Sequence, residues 1–364
     1  MKKLLASMLI AAMALTGCGG SSSSKSGKTE LALITDSGGI NDKSFNQSAW
    51  EAVKEYGEKN NVGYKYYKPA SFDTAGYKDQ IKNAVNNGAK LVVLPGFKFA
   101  DALGDLQSDS KYSKVDFVCI DFTPKKNGKP VNPAKNVFCA TYKEYQPGYL
   151  AGYAAVKDGY TKLGFMGGIA LPAVINYGYG YLQGAEAAAE ETKKDVTVKY
   201  TYTGTFNESP SIKTKATGWY NGGTEVIFAC GGQICNSIFA AASDTKKKVI
   251  GVDSDQKDQS DTVITSAMKN VKQTVADEIK AVYAKKFKGG SYLLDASGNY
   301  VGLSPDFSRL KKFKKSDYDK IFNKVKNNKV KFITNDDETA SKGNPTKTKK
   351  LKKALKHVKI SYEG

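Results

Sequence analysis

Aspartate or glycine follows directly after almost every apolar, β-branched run of this sequence. An aspartate carboxylate offers acceptor oxygens to hydroxyl or amine donors, and glycine lets a ligand approach the backbone closely. Both residue types also make turns and helix N-caps, so no single position decides between ligand and turn. The whole set, however, indicates a site for a small polar ligand. The residues that follow the runs are Asp36, Pro95-Gly96, Asp121, Gly167-Gly168, Gly204-Thr205-Phe206, Gly231-Gly232 and Asp253-Ser254-Asp255.

The apolar runs alternate with longer helical segments, which indicates parallel sheets covered by helices on both faces. In such α/β sheets, ligands bind beyond the carboxyl ends of the strands, where these aspartates and glycines lie. A chain of 364 residues with this many strands predicts two doubly wound lobes. The predicted strands are 31–35, 62–67, 90–94, 115–120, 136–141, 162–166, 196–202, 225–229, 248–252 and 262–266. The predicted helices include 45–59, 77–87, 145–157, 176–192 and 271–287.

The sequence contains a single histidine, His357, and this excludes most catalytic chemistry. Ser-His-Asp and Cys-His nucleophilic sites, multi-histidine zinc sites and histidine proton relays have no other histidine to use. No G-x-x-x-x-G-K-[ST] phosphate-binding motif occurs, and Gly178, Gly180 and Gly184 fall inside a helical segment where helix packing explains them. The acidic group at 336–338 lacks metal-ligand spacing. We therefore expect a binding protein, not an enzyme, with neither a cofactor nor a metal.

The first residues have the pattern of a secretory leader. Met1-Lys2-Lys3 precedes an apolar run at 4–15 that is too short to span a bilayer. The small residues before Cys18 resemble the bacterial lipobox, at which the leader is cut and the cysteine receives a lipid. The alternative is an ordinary signal peptide with a chance cysteine. The Gly- and Ser-rich residues 19–27 form a flexible tether, so we predict a protein anchored to the membrane through Cys18.

The formal net charge of +19 is concentrated at the C-terminus. Residues 309–364 hold 18 Lys plus Arg against 6 Asp plus Glu, and so carry +12 of that charge. Leu351, Leu355 and Val358 fall at helical spacing in this segment, which predicts an amphipathic surface helix with a solvated basic face. Attraction to an anionic cell envelope is the second interpretation, and nucleic-acid binding is the third.

The body of the chain contains Cys119, Cys139, Cys230 and Cys235 without a C-x-x-C motif. Disulfides persist outside the cell, so the sequence leaves open whether these four cysteines form disulfides. Cys119 and Cys230 lie in apolar strand-like runs, where cysteine packs as a small core residue. We expect buried free thiols.

The leader, residues 35–47 (TDSGGINDKSFNQ) and residues 251–256 (GVDSDQ) together resemble a known family. This is the basic membrane protein family of nucleoside-binding lipoproteins, the substrate-binding components of ABC importers. The resemblance runs from about residue 31 to about residue 269. It implies a type I periplasmic-binding-protein fold, in which two Rossmann-like lobes are joined by three crossovers and close around a ligand in the cleft between them.

The resemblance also implies how the ligand is held. By position, Phe45 and Phe206 resemble the two aromatic residues that sandwich a purine, and Asp121 resembles the carboxylate that recognises the edge of the base. Phe45 opens a helix whose Trp50 and Val53 also look core-facing, so packing is an alternative for its ring. Asp121 has the alternative of capping a turn.

For the sugar, Asp253 and Lys269 resemble the pair that holds the ribose hydroxyls, and Gly232 contributes backbone. Asp36 and Asn46 lie in the first motif and complete the polar contacts. Lys269 has the alternative of a plain surface lysine at the start of a helix, although that position is unfavourable with the helix dipole.

The implied organisation has four parts. We predict a leader, a lipidated cysteine with its tether, and two lobes that each contain two stretches of the chain. These parts are 1–17, then 18–28, then an N-terminal lobe of 29–143 plus about 268–295, and a C-terminal lobe of 144–267 plus about 296–364.

The sequence thus predicts a monomeric, lipid-anchored protein on the extracytoplasmic face of a bacterial membrane. It would bind a purine nucleoside by closure of two lobes and deliver it to the permease subunits of an ABC importer, without binding nucleic acid. Within the same fold, a sugar or a flavin is the alternative ligand. From other classes, the alternatives are a surface adhesin or signalling lipoprotein and a nucleoside-cleaving enzyme.

Overall fold

The computed structural model describes residues 28–337 and 339–364. The strands are β1 (Leu31–Ile34), β2 (Tyr64–Tyr67), β3 (Leu91–Pro95), β4 (Asp116–Ile120), β5 (Lys125–Lys126), β6 (Lys129–Pro130), β7 (Val137–Tyr142), β8 (Lys162–Gly167), β9 (Val196–Tyr202), β10 (Val226–Cys230), β11 (Lys248–Asp253), β12 (Val263–Lys269), β13 (Gly290–Leu294), β14 (Val301–Leu303) and β15 (Val358–Tyr362). The helices are α1 (Phe45–Asn60), α2 (Thr74–Asn86), α3 (Ala100–Leu106), α4 (Tyr145–Asp158), α5 (Pro172–Thr192), α6 (Pro210–Asn221), α7 (Ile234–Asp244), α8 (Val271–Tyr283), α9 (Lys315–Lys326) and α10 (Lys349–Ala354). Short 3₁₀ turns connect several of them.

The first sheet has the strand order β13-β7-β4-β3-β1-β2, and its neighbouring strands pair in parallel. Successive side chains of a strand point to opposite faces, and β1 is apolar on both. Leu31 and Leu33 pack in one core with Val53 of α1, whereas Ile34 packs in a second core with Ile81 of α2. Helices therefore cover both faces of this sheet, as the apolar runs predict.

The second sheet has the strand order β14-β12-β11-β10-β8-β9-β15. Its pairings are parallel except for β14, which runs antiparallel to β12. Helices α4 and α5 pack closely against each other beside this sheet. A side chain at Gly180 or Gly184 of α5 would collide with the main-chain oxygen of Tyr145 or Tyr149 in α4. Packing between the helices thus requires Gly180 and Gly184, as interpreted from the sequence, whereas a side chain at Gly178 would instead collide with Tyr200 of β9.

The chain passes between the two sheets three times in the described residues. It leaves the first sheet after β7 to form α4, returns after β12 to form α8 and β13, and leaves again between β13 and β14. Helix α8 packs against α1 of the first sheet, and α4 packs near β12 and β14 of the second. The ends of β7 and β12 therefore lie where the sheets meet.

The predicted strands and helices all occur within a few residues of the expected bounds. The sequence reasoning did not identify α3, α6, α7, α9, β13 or β14. Strand β13 illustrates the cause, because its residues are largely exposed at the edge of the first sheet and its apolar run, residues 292–294, is only three residues long. The cysteines at 119, 139, 230 and 235 are buried and free, as expected.

The C-terminal segment differs from its prediction. Helix α10 ends at Ala354, and Leu355 has extended backbone angles. Val358 then begins β15, which pairs in parallel with β9 at the edge of the second sheet. The single amphipathic helix predicted through Val358 is therefore wrong, because the segment turns to complete a sheet edge. Lys352, Lys353 and Lys356 are exposed, so the basic face is solvated as expected.

Two further predictions depend on residues outside the described part of the chain. The leader, Cys18 and the tether lie in residues 1–27, and Glu338 of the acidic group is also not described. Within 28–337 and 339–364, no helix has the length and apolar character needed to cross a membrane. The same residues contain no group of His, Cys, Asp and Glu side chains that could hold a metal ion.

We expect Leu351→Ala to destabilise the protein more than Leu355→Ala. Leu351 of α10 is fully buried, whereas Leu355 is only partly buried. Leu→Ala at a fully buried site costs about 2–5 kcal/mol in the free energy of unfolding, and a half-exposed site costs less. The midpoints of urea unfolding measured by circular dichroism test this difference. Equal losses in the two variants would show that the C-terminal segment is not anchored by Leu351.

Candidate functional site

Two aspartates at strand ends adopt left-handed backbone angles, which are uncommon for residues other than glycine although aspartate tolerates them better than most. Asp121 directly follows β4 with φ 62°, and Asp253 is the last residue of β11 with φ 64°. Such left-handed angles cost a residue with a side chain roughly 1–2 kcal/mol, and they often mark functional sites. One of these aspartates belongs to the first sheet and the other to the second, and both lie at the carboxyl ends of parallel strands.

Lys269, the last residue of β12, joins these two ends. Its side chain is only 2% exposed. The ammonium donates a hydrogen bond to Asp121 Oδ2 and lies 3.3 Å from Glu144 Oε1. Burial alone would lower the pKa of Lys269, but the carboxylates of Asp121, Glu144 and Asp253 raise it above its usual value. Lys269 is therefore a buried cation held by carboxylates from both sheets, not a surface lysine.

Three aromatic rings surround the same ammonium. The Lys269 Nζ atom lies 5.4 Å from the ring centroid of Phe45, 5.2 Å from that of Tyr142 and 5.6 Å from that of Tyr177. At these distances the negative face of each ring attracts a cation. Phe45 is only partly buried, and its ring lies next to the Lys269 ammonium. Phe45 is therefore not solely a core residue.

Asp253 receives hydroxyl donors from both sides of the cleft. Ser44 Oγ donates to Asp253 Oδ2 at 3.2 Å, and the Tyr177 hydroxyl donates to Asp253 Oδ1 at 3.3 Å. Burial raises the pKa of the Asp253 carboxyl, although Lys269 opposes the shift. Burial likewise raises the pKa of Glu144 to about 7, again against the effect of Lys269. The cluster thus has more acceptor groups than cations and suits a ligand that brings hydrogen-bond donors.

One acceptor in this cluster has no donor among the described residues. It is Asp121 Oδ1, which is buried, while Asp121 Oδ2 accepts from Lys269. A buried carboxylate oxygen without a hydrogen bond is costly, because it has lost water and gained no donor in return. A hydroxyl or amine group of a ligand would satisfy this oxygen.

Asp36 and Asn46 lie together at the entrance to α1. The Asn46 side-chain amide donates to Asp36 Oδ1 at 2.7 Å and to Asp42 Oδ2 at 2.8 Å. The Asp36 N–H donates back to Asn46 Oδ1 at 3.0 Å. Burial raises the pKa of Asp36. These contacts hold the loop between β1 and α1 in place, so the structure assigns Asn46 a clear part in positioning its neighbour Phe45.

Phe206 lies in a groove made by glycines. Its ring packs so closely on Gly168 and Gly231 that a side chain at either glycine would collide with it. A Cβ at Gly232 would lie 3.2 Å from the main-chain oxygen of Phe206, and the Gln233 N–H donates to that oxygen at 2.8 Å. The glycines after β8 and β10 therefore seat the Phe206 ring at the carboxyl edge of the second sheet, where it is partly exposed.

The predicted residues thus form connected groups at strand ends. One cluster contains Lys269, Asp121, Asp253 and Phe45. Asn46 is connected to it as the neighbour of Phe45 in the chain. The carboxylates in contact with the Lys269 ammonium belong to Asp121 and Glu144, while Asp253 raises the pKa of Lys269 without an ion-pair contact.

Sequence reasoning missed Glu144, Tyr142 and Tyr177. Tyr142 ends β7 and Glu144 precedes α4, so their position after a strand was the available signal. Tyr177 lies within α5 and carried no such signal.

A cavity of about 260 Å³ adjoins this cluster between the two sheets. Asp253 and Lys269 of the cluster line it, together with residues of the β1–α1 loop, of α1, of the segment after β11 and of the start of α8. The cluster is therefore reached from solvent along the seam between the sheets.

The fold and the site together define a class of protein. Two α/β lobes, joined by three crossings and with polar and aromatic residues on their facing strand ends, form a solute-binding protein of the periplasmic-binding-protein type. A solved ABC transporter solute-binding protein from Aeropyrum pernix is similar, with a TM-score of 0.76 at 22% identity, covering 90% of this chain and 98% of that chain. Another, from Conexibacter woesei, has a TM-score of 0.68 at 21% identity, covering 84% and 99%. These likenesses confirm the predicted fold.

The chain belongs to the Bmp family, described as ABC transporter substrate-binding protein, PnrA-like, whose sequence model matches residues 29–339. It is 33% identical to the ABC transporter nucleoside-binding protein BmpA of Lactococcus lactis, over 78% of this chain and 85% of that protein. It is 31% identical to the CD4+ T-cell-stimulating antigen of Listeria monocytogenes, over 92% and 96%.

The family settles the class of activity. This chain is an ABC transporter substrate-binding protein, which takes a small molecule and works with a transporter, and it is not an enzyme. The alternative of a nucleoside-cleaving enzyme is therefore wrong. Substrate-binding proteins of ABC importers act outside the cytoplasm.

We expect Lys269→Met to lower the free energy of unfolding by about 3–5 kcal/mol at pH 8, because it leaves buried carboxylates without their cation. The folded-state pKa values of Glu144 and Asp253 are already above their ordinary values, and losing Lys269 raises them further. A carboxyl with a raised folded-state pKa favours the folded state at low pH and disfavours it as pH rises through that pKa. The loss should therefore be smaller at pH 5 than at pH 8 in urea titrations.

Lys272→Met is the matched control for this prediction. Lys272 lies three residues further on, but its side chain is 44% exposed and pairs with Glu51 and Glu55 on the surface. Its replacement should cost less than about 1 kcal/mol. If the two variants lost equal stability, or if the loss in Lys269→Met did not change with pH, the buried charge cluster would not have the role assigned to it.

Proposed function

We propose that this protein captures a purine nucleoside between its two lobes and delivers it to the permease of an ABC importer. The observation that carries the proposal is the buried Lys269 cluster, in which carboxylates and a phenyl ring meet at the facing strand ends. The name of the Lactococcus relative, a nucleoside-binding protein, supports the same ligand class.

Each part of a purine nucleoside has a suitable partner in the proposed site. Phe45 and Phe206 would stack on the two faces of the base, which contributes about 1–3 kcal/mol per stacked base. The unsatisfied Asp121 Oδ1 would accept from an N–H group on the edge of the base. Asp253 would accept from ribose hydroxyls and Lys269 would donate to them, since charged groups make strong hydrogen bonds to hydroxyls. Asp36, Asn46 and Gly232 complete the proposed site.

Binding would work by closure of the two lobes. The proposed lobes are residues 29–143 plus about 268–295, and residues 144–267 plus about 296–364. A ligand that contacts Phe45 and Asp121 from one lobe and Phe206 and Asp253 from the other is bound more tightly by the closed form, so it shifts the population toward closure. The closed form is the one that the permease would recognise. The protein would act as a monomer and without a cofactor.

The proposed location is the extracytoplasmic face of the cell membrane. A lipid on Cys18 would hold the protein there, and residues 19–27 would let the folded lobes stand off the surface. A protein tethered in this way would remain close to its permease.

Isothermal calorimetry with adenosine, guanosine and inosine tests the ligand, with ribose, glucose and riboflavin as competitors of other classes. We expect binding of at least one purine nucleoside, and we expect Phe206→Ala to weaken it by roughly 5–150-fold through loss of one stacking face. Phe322→Ala is the control, because Phe322 is also partly buried but lies on α9 away from the strand ends. Binding of sugars alone, or unchanged affinity in Phe206→Ala, would contradict the proposed site.

Cys18→Ala tests the anchor. Expressed in a bacterium that processes lipoproteins, the wild-type protein should partition into the detergent phase of Triton X-114 and carry the added mass of a lipid, whereas Cys18→Ala should show no lipid mass in mass spectrometry because it cannot be lipidated. Ser21→Ala changes the tether but keeps the cysteine, and should behave as the wild type does. A wild-type protein found in the aqueous phase would exclude the lipid anchor.

A further inference from the structure

A second set of contacts joins the two sheets beside the candidate site, and it converges on the backbone carbonyl oxygen of Lys43. This oxygen accepts hydrogen bonds from Ser254 Oγ at 3.1 Å, from Gln259 Nε2 at 3.2 Å and from Gln256 Nε2 at 3.4 Å. Lys43 lies in the loop between β1 and α1 of the first sheet, whereas the three donors follow β11 of the second. These hydrogen bonds therefore exist only while the two lobes are in contact.

The Lys43 carbonyl lies outside the hydrogen bonds of α1, and the side chain of Asp42 holds the start of that helix. The Asp42 carboxylate accepts from the main-chain N–H groups of Ser44 and Asn46 at 2.9 Å and of Gln47 at 3.0 Å. These N–H groups belong to the N-cap and the first turn of α1, where no intrahelical carbonyl is available to them. Lys43 precedes the N-cap Ser44 and has φ 57°, so its carbonyl is free to be used between the lobes.

The three donors differ in how firmly they are held. Gln256 is almost completely buried, its Oε1 accepts from the Val252 N–H at 2.9 Å, and its own N–H donates to Ser266 Oγ at 3.1 Å. It is thus part of the interior of the second lobe. Ser254 and Gln259 are only partly buried, so their hydrogen bonds to Lys43 can break and re-form without disturbing the core.

The position of these contacts links them to ligand binding. Phe45, which touches the Lys269 cluster, stands two residues after Lys43. Lys43, Ser254 and Gln259 also line the cavity that reaches the cluster along the seam between the sheets. Separation of the lobes at this seam would move Phe45 away from the second sheet.

We propose that Ser254 and Gln259 are positioning residues that latch the lobes together. Through the Lys43 carbonyl they hold the β1–α1 loop against the second lobe, and they thereby set how often the unliganded protein opens and how long a ligand stays bound. The part that concerns the ligand rests on the proposed function, and the part that concerns the lobes does not.

The double variant Ser254→Ala/Gln259→Ala tests the latch without any ligand. Spin labels at Asp79→Cys on α2 and Asp244→Cys on α7, both exposed, report the distance between the lobes by pulsed electron resonance. The native cysteines of the described residues are buried and should not react with the label. We expect the distance distribution of the double variant to shift toward longer distances. A distribution equal to that of the wild type would overturn the proposal.

Stopped-flow measurement with adenosine gives the kinetic test. Loss of two exposed hydrogen bonds should raise the dissociation rate constant by roughly tenfold, and the association rate constant should not fall, because the latch must open before a ligand can enter. Ser254→Thr keeps a hydroxyl donor and should retain the wild-type dissociation rate. The control Gln273→Ala/Ser108→Ala removes one exposed Gln, whose side chain bonds to Asp277 of the same helix, and one exposed Ser, and should change neither readout.

The two proposals fail in different ways. If wild-type calorimetry detects no nucleoside, the proposed function fails while the label distances still decide the latch. If adenosine binds but the dissociation rate and the distances are unchanged in Ser254→Ala/Gln259→Ala, the latch fails while the proposed function stands.

Discussion

The buried ammonium of Lys269 is the interaction on which the arrangement of the two lobes depends. An ammonium removed from water costs several kcal/mol unless charged partners surround it. Its partners come from distant parts of the chain, since Asp121 follows β4 of the first sheet, Glu144 precedes α4, and Asp253 ends β11 of the second. Because β12 ends at Lys269, just before the chain crosses to α8, the same residue that binds the carboxylates also stands at a connection between the lobes.

The carboxylates around Lys269 stabilise the folded protein and can also accept hydrogen bonds from a ligand. The site contains more carboxylates than cations, and burial raises the pKa of Glu144 to about 7. Asp121 and Asp253 also hold left-handed backbone angles that cost free energy. The left-handed angles of these two aspartates and the unsatisfied Asp121 Oδ1 therefore lie at the edge where solute-binding proteins bind their ligands, and a ligand could satisfy that oxygen.

Much of the fold was predictable from the sequence, because parallel strands that are buried on both faces leave continuous apolar runs such as 91–94. Strand β13 was not predicted, since its largely exposed side chains include only a three-residue apolar run. The C-terminal segment was predicted as one helix because Leu351, Leu355 and Val358 stand at helical spacing. The same spacing is also compatible with a short helix followed by a strand. Pairing with β9 selected the second arrangement, and that contact is not visible in local periodicity.

The sequence by itself determined the alternation of strands and helices, the Gly- and Asp-rich strand ends, the near absence of histidine and the motifs that identify the family. These are local properties, readable from neighbouring residues. Only the tertiary structure decided which carboxylates contact Lys269, that Tyr142 and Tyr177 lie beside it, and that the glycines after β8 and β10 seat Phe206. Lys269 and Asp121 are 148 residues apart in the chain, so their contact and the resulting electrostatics arise from how the two sheets meet.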